Sequence, residues 1–138
     1  MNLTLKRIPQ EQVEAMWPQL MPFIEDALVQ AKATEYGVEE SKQFLLGGHM
    51  VAIGFFDDSD HLHGAITVSV MRYPRETIAF ITSIGGRMIA NKDTLEQLNS
   101  ICRSLGAKKL QGYARESVAR LWRRLGFRNR AILVELDL

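Results

Sequence analysis

The sequence predicts an α/β (α+β) chain: a mixed sheet with helices on its faces, in the order β-α-α-β-β-β-α-β-α-β. Three observations carry this. Apolar residues fall at helical spacing over residues 10–46, then change to runs of strand formers over 49–84. Those runs are joined by short turns, which predicts an antiparallel meander. Strand, helix and strand then follow from Ile78 to Ala114, a crossover that implies a parallel pair.

Taken in order, Leu3 to Ile8 places Leu3 and Leu5 on one side of a first strand, ended by Pro9. Val13, Met16, Trp17, Leu20, Phe23, Ile24, Ala27 and Leu28 then form a helical stripe. Pro18 and Pro22 interrupt it, and a proline costs about 3 kcal/mol inside a helix, so two pieces or a kink are expected. Residues 33–37 form a loop. Val38 to Leu46 is a short helix stopped by Gly47 and Gly48. His49–Phe56, Leu62–Tyr73 and Thr77–Ile84 are the meander, with turns at Asp57–Asp60 and Pro74–Glu76. Gly85 and Gly86 end the last run.

Asp93, followed three residues later by Glu96, reads as an N-cap. Leu95, Leu98, Ile101, Cys102 and Leu105 make one stripe of that helix, and Gly106 stops it. Lys109–Ala114 is a short strand, Ser117–Leu125 a helix and Ala131–Leu138 a final strand. In the last helix Val118, Leu121, Trp122 and Leu125 face one way and Arg120, Arg123 and Arg124 another.

The 138 residues fit one domain, residues 1–138, of ordinary soluble composition: 46% hydrophobic and 24% charged. That excludes intrinsic disorder as the main state. A single cysteine, Cys102, excludes a disulfide scaffold, and its place in an apolar stripe marks a buried structural thiol. No apolar run reaches the roughly 18–20 residues of a membrane span, and the first residues lack a signal-peptide pattern. A cytoplasmic protein of a reducing compartment, with no membrane partner, is the expectation. The net charge of +1 hides an asymmetry: residues 1–60 sum to −6 and residues 61–138 to +7. The basic half suits phosphate or serves solubility alone.

The run Leu105-Gly106-Ala107-Lys108-Lys109-Leu110, followed by Leu121-Trp122-Arg123-Arg124-Leu125-Gly126-Phe127, resembles the end of GCN5-related N-acetyltransferases (GNAT). In that family a Gly-Ala turn leads into the fifth strand and a helix ends in Leu-Gly-Phe. The element order resembles the GNAT fold over nearly the whole chain. The resemblance implies an acetyl-CoA-dependent N-acetyltransferase that transfers an acetyl group to an amine of a small molecule or protein. The acidic stretch around Glu35, Tyr36, Glu39 and Glu40 would attract such a cation. The chain is also similar to small GNAT-like proteins of bacteriophages, which often lack the family's glycine loop. That likeness implies a non-catalytic binding or assembly module, in a host cytoplasm or a virion.

The family's loop after the fourth strand brings backbone N–H groups to the pyrophosphate at a helix N-terminus. Here that stretch is Gly85-Gly86-Arg87-Met88-Ile89-Ala90-Asn91-Lys92-Asp93, without a Gly-x-Gly. The resemblance places cofactor contacts at Ile84, Gly85, Gly86, Arg87 and Lys92, and at Arg115, where the family often has asparagine. The alternative for the two glycines is a plain strand-to-helix turn. Trp122 stands where many members carry the tyrosine that protonates the leaving thiolate, and an indole only donates hydrogen bonds. Tyr113 is the nearest phenol in sequence; its other reading is a half-buried strand tyrosine. Glu76 is the only acid between Asp60 and Asp93 and so the candidate base, or else a turn carboxylate beside Arg75.

His61 and His63 fall on one strand face near Asp57, Asp58 and Asp60. Two imidazoles without a fixed third ligand read as a polar hairpin end rather than a metal site. Six arginines between Arg115 and Arg130 form a solvated helix face, a CoA-phosphate contact or a surface for an acidic protein. Without exposed aromatics beside them, nucleic acid is a poor match.

Overall fold

A computed structural model describes residues 2–32 and 35–138. The elements are β1 (Thr4–Ile8), a 3-10 turn (Gln10–Gln12), α1 (Val13–Gln30), α2 (Val38–Leu46), β2 (Met50–Phe56), β3 (Leu62–Arg72), β4 (Thr77–Gly85), α3 (Lys92–Ser104), β5 (Lys109–Gly112) and α4 (Glu116–Arg124). The strands make one sheet in the order β1-β2-β3-β4-β5. β1 through β4 pair antiparallel, and β4 and β5 pair parallel with Ile78 opposite Lys109. The meander and the parallel crossover expected from the sequence are therefore both present.

Strand alternation sends side chains to two cores, one on each face of the sheet. Ile53, Phe55, Ile66, Val68, Ala79 and Ile81 pack with Leu98 and Cys102 of α3 and Trp122 of α4. On the other face Ala52, Phe56 and Ala65 meet Trp17, Leu20, Ile24 and Leu28 of α1 and Leu45 of α2. Of the predicted α3 stripe, Leu98 and Cys102 are buried and Leu95, Ile101 and Leu105 half-buried.

Four expectations need correction. α1 is one continuous helix with Pro18 and Pro22 inside it. The prolines lie four residues apart on the exposed side, where the carbonyls they strand can meet water, while the buried stripe holds the helix to the sheet. α3 is capped by Asn91, not Asp93: the Asn91 carboxamide oxygen accepts from the Thr94 N–H at 2.8 Å. β5 stops at Gly112, two residues short of the expected Ala114. The last correction is the final strand. Residues 131–138 have no strand pairing and lie exposed. The loop expected over 33–37 falls partly outside the described residues at Ala33 and Thr34.

Candidate active site

β4 is longer than the strand beside it. Its pairing with β5 ends at Ile81–Gly112, but β4 runs on to Gly85. From Thr82 onward its β5-side edge has no strand partner, and its outward N–H and C=O groups are available to a ligand. A bulge sits at the same place. Opposite β3 the register steps from Ser83–Thr67 to Ile81–Val68, so Thr82 is the extra residue. Bulges of this kind bend a strand and re-aim its side chains.

A cleft of about 640 Å³ opens along this free edge. Ile81–Ile84 of β4 form one wall, Tyr113–Arg115 and Val118 of α4 another, and the end of α1 with Met88 and Trp122 completes it. Its walls mix apolar side chains with the Thr82 and Ser83 hydroxyls, Gln30 and the cations Lys32 and Arg115. The Thr67 hydroxyl lies 2.7 Å from the Thr82 hydroxyl and 2.6 Å from that of Ser83, buried under α1 and α2. Thr82 Oγ1 also meets the Met50 sulfur at 3.7 Å. Burial first, and then the nearby Glu35, hold the Tyr36 pKa above its ordinary value, opposed by the Thr82 hydroxyl.

The structure brings three of the sequence-predicted residues into this cleft: Tyr113, Ile84 and Arg115. Tyr113 is 71% exposed, its ring edge-on to Phe80 at 5.1 Å, beyond the end of β5 rather than half-buried within it. The remaining five lie elsewhere. Glu76 precedes β4, six residues and roughly 20 Å from Thr82 along the strand. Its carboxylate is held by Lys109 Nζ at 2.9 Å. Among the described residues no carboxylate lines the cleft.

Gly85 and Gly86 serve the packing of α1. A Cβ on Gly85 would fall 2.0 Å from the Phe23 carbonyl oxygen. Gly86 has φ 80°, and its Cβ would meet the His63 carbonyl oxygen and the Phe23 ring at 2.6 Å. Arg87 opens onto a different depression, shared with Asn91, Asp93 and Gln97. Lys92 begins α3 and is exposed. At that helix start Asn91 already occupies the Thr94 N–H, and Asp93 accepts from Gln97 Nε2 at 3.0 Å. Both place negative charge or an acceptor where an anion would sit.

Trp122 is 5% exposed and stacked on Phe127 at 5.2 Å, with its indole N–H donating to the Ile89 carbonyl at 3.2 Å. It ties the β4–α3 loop to α4 and lines the cleft together with Met88. Sequence reasoning missed Thr67, Thr82, Ser83 and Met88. A Thr-Ser pair inside an apolar strand was the available signal.

The hairpin histidines both approach the Asp57 carboxylate. Asp57 accepts from His63 Nε2 at 2.7 Å and lies 3.7 Å from His61 Nδ1. The hydrogen bond from His63, then the His61 backbone, lower the Asp57 pKa from 3.8 to about 2.

The fold is that of GNAT acetyltransferases. An aminoglycoside acetyltransferase from an uncultured soil metagenomic sample, solved in complex with sisomicin, superposes with a TM-score of 0.70 at 13% identity, covering 99% of this chain and 96% of that one. A Trypanosoma brucei acetyltransferase gives 0.62 at 16% identity, covering 99% and 100%. A structure from Clostridium acetobutylicum described as a "predicted acetyltransferase with acetyl-CoA" gives 0.64 at 10% identity, covering 99% and 96%. No family model and no curated protein matches the sequence. Among the described residues no helix is long and apolar enough to cross a membrane.

Proposed function

We propose that the protein is an acetyl-CoA-dependent N-acetyltransferase acting on an amine in the cleft beside β4. The free edge of β4 from Thr82 to Gly85 carries this reading, because it is an unpaired strand edge walled by apolar side chains. An extended chain bearing amides, such as the pantetheine arm of acetyl-CoA, can add to that edge as a strand would. Ile81, Ile84, Met88, Val118 and Trp122 would cover its methylenes. Arg115 at the cleft, with Arg87 and Lys92 on the adjoining loop, would supply charge for the phosphates, in place of a glycine-loop cradle.

The thioester carbon accepts the amine and the CoA thiolate leaves. This chain's contribution is orientation along β4 and handling of two protons. The Tyr113 phenol, at the cleft rim, is the group able to protonate the departing thiolate. The amine proton leaves to solvent, since Glu76 is too distant and the Thr82, Thr67 and Ser83 hydroxyls accept hydrogen bonds without acting as bases.

A second reading, a non-catalytic GNAT-like module, is favoured by two observations: no carboxylate lines the cleft, and the α3 start is already capped. Calorimetry with CoA at low and high salt separates the two. The enzyme reading expects saturable binding that weakens with salt and with Arg87→Ala or Arg115→Ala. At 100 times its dissociation constant, acetyl-CoA should raise stability by about 2.7 kcal/mol in a thermal shift. No heat at millimolar CoA in low salt would leave the module.

A further inference from the structure

In a regular strand neighbouring side chains point to opposite faces, so Thr82 and Ser83 should part. Both hydroxyls instead reach one side chain of the next strand. Thr67 Oγ1 lies 2.7 Å from Thr82 Oγ1 and 2.6 Å from Ser83 Oγ. The convergence is possible because Thr82 is the extra residue of the bulge. Thr67 and Ser83 are both buried, so neither hydroxyl has water as a ready substitute partner.

The bulge also changes the parity of β4. Ahead of it, Ala79 and Ile81 face the core under α3 and α4. Beyond it, Ile84 packs against that same core, three residues from Ile81 rather than two or four. Gly85, which unbroken alternation would put on the face of Ile81, instead meets Phe23 and Ala27 of α1. A slip of one residue would turn Ile84 toward α1, where a Cβ on Gly85 already has no room. The stretch that carries this change is held by a strand on one side only, since pairing with β5 ends at Ile81 and Gly112. Among the described residues, Thr67 is the one side chain bonded to both bulge residues.

We propose that Thr67 is a positioning residue: its hydroxyl clamps the bulge and so sets the direction in which the free edge of β4 presents its backbone groups to the donor. Thr67 lies outside the cleft lining and acts through Thr82 and Ser83, which are in it. A hydroxyl can give one hydrogen bond and accept others, which lets one side chain serve two neighbours. The proposal rests on the acetyl-CoA reading of that edge and adds the residue behind it that fixes its shape.

Thr67→Val keeps the branched shape and removes both bonds, whereas Thr67→Ser keeps the hydroxyl and gives up the methyl group. In calorimetry with CoA, the valine variant should bind roughly tenfold more weakly than the parent, and the serine variant within about threefold of it. In native-state amide exchange, residues 81–85 should exchange roughly tenfold faster in the valine variant, with β1 unchanged and the serine variant like the parent. Ser83→Ala removes one of the two bonds and should shift both readings the same way by less; it carries the test if circular dichroism shows the valine variant unfolded. Equal CoA affinity for the parent and a folded Thr67→Val overturns the proposal. So does a serine variant as weak as the valine one, which would make the methyl packing the cause, or faster exchange along every strand, which would mean general loosening. A parent that binds no CoA sinks the acetyltransferase reading alone, and the exchange rates then decide the clamp.

Discussion

Replacing Trp122 tests how α4 and the β4–α3 loop are held around the cleft. The side chain is 5% exposed, stacked on Phe127, and bonded through its indole N–H to the Ile89 carbonyl. A buried tryptophan covers about 150–250 Å², which at about 25 cal/mol per Å² is roughly 4–6 kcal/mol as an upper bound. Core Trp→Ala substitutions cost about 3–5 kcal/mol in practice. Trp122→Phe keeps most of the burial and the contact with Phe127 but leaves the Ile89 carbonyl without its donor, a loss of about 1–2 kcal/mol. The alanine variant should therefore be about 2–3 kcal/mol less stable than the phenylalanine variant. Against a typical total of about 5–15 kcal/mol, the alanine variant is only marginally folded. Urea unfolding with unchanged m-values measures both differences. A loss below about 1 kcal/mol for Trp122→Ala would refute the core assignment. Equal losses for the two variants would show that the hydrogen bond, not the packing, holds the loop.

Gly85→Ala should destabilise the protein by about 3 kcal/mol or more, because its Cβ meets the Phe23 backbone, whereas Gly106→Ala meets nothing and should cost only about 1–2 kcal/mol for its positive φ; similar unfolding midpoints for the two would contradict the close approach of α1. Asp57 has a folded pKa depressed to about 2 from 3.8, so its stabilisation is present above about pH 4 and lost as pH falls toward 2. Asp57→Asn should flatten that part of the stability–pH curve, and an unchanged curve would mean the His63 contact does not persist in solution. Burial pushes the Cys102 thiol up to about 11, so a thiol-specific reagent at pH 8 should react slowly with native protein and rapidly after urea. Equal rates would place Cys102 at the surface.

Much of the fold was legible because each element carries its own local signature. The change from helical to strand patterning located the meander, and Asp57–Asp60 and Pro74–Glu76 marked its turns. Gly106 and Gly126 each end a helix with positive φ, as their positions implied. The proline interruption of α1 misled because propensity is local, while the buried stripe that overrides it needs the sheet to exist. The cap moved from Asp93 to Asn91 because both are competent caps, and only the path of the loop from Ile89 decides between them.

The candidate site was less legible. Tyr113, Ile84 and Arg115 reach the cleft because they flank the ends of β4 and β5, where the resemblance directs attention. Glu76 is singled out only as the one acid in its region, a criterion blind to direction along a strand, and it lies at the end of β4 away from the cleft.

The sequence by itself determined the antiparallel meander and the parallel crossover, since these rest on side-chain period and connection length. Only the tertiary structure decided the bulge at Thr82 and the point where β5 stops pairing, because both depend on register between distant strands. It likewise decided that Gly85 exists to admit the backbone of α1 at Phe23. Residues 131–138 show the division most plainly. Their composition specifies a strand, but a strand is stable only beside a partner edge, and among the described residues none pairs with them.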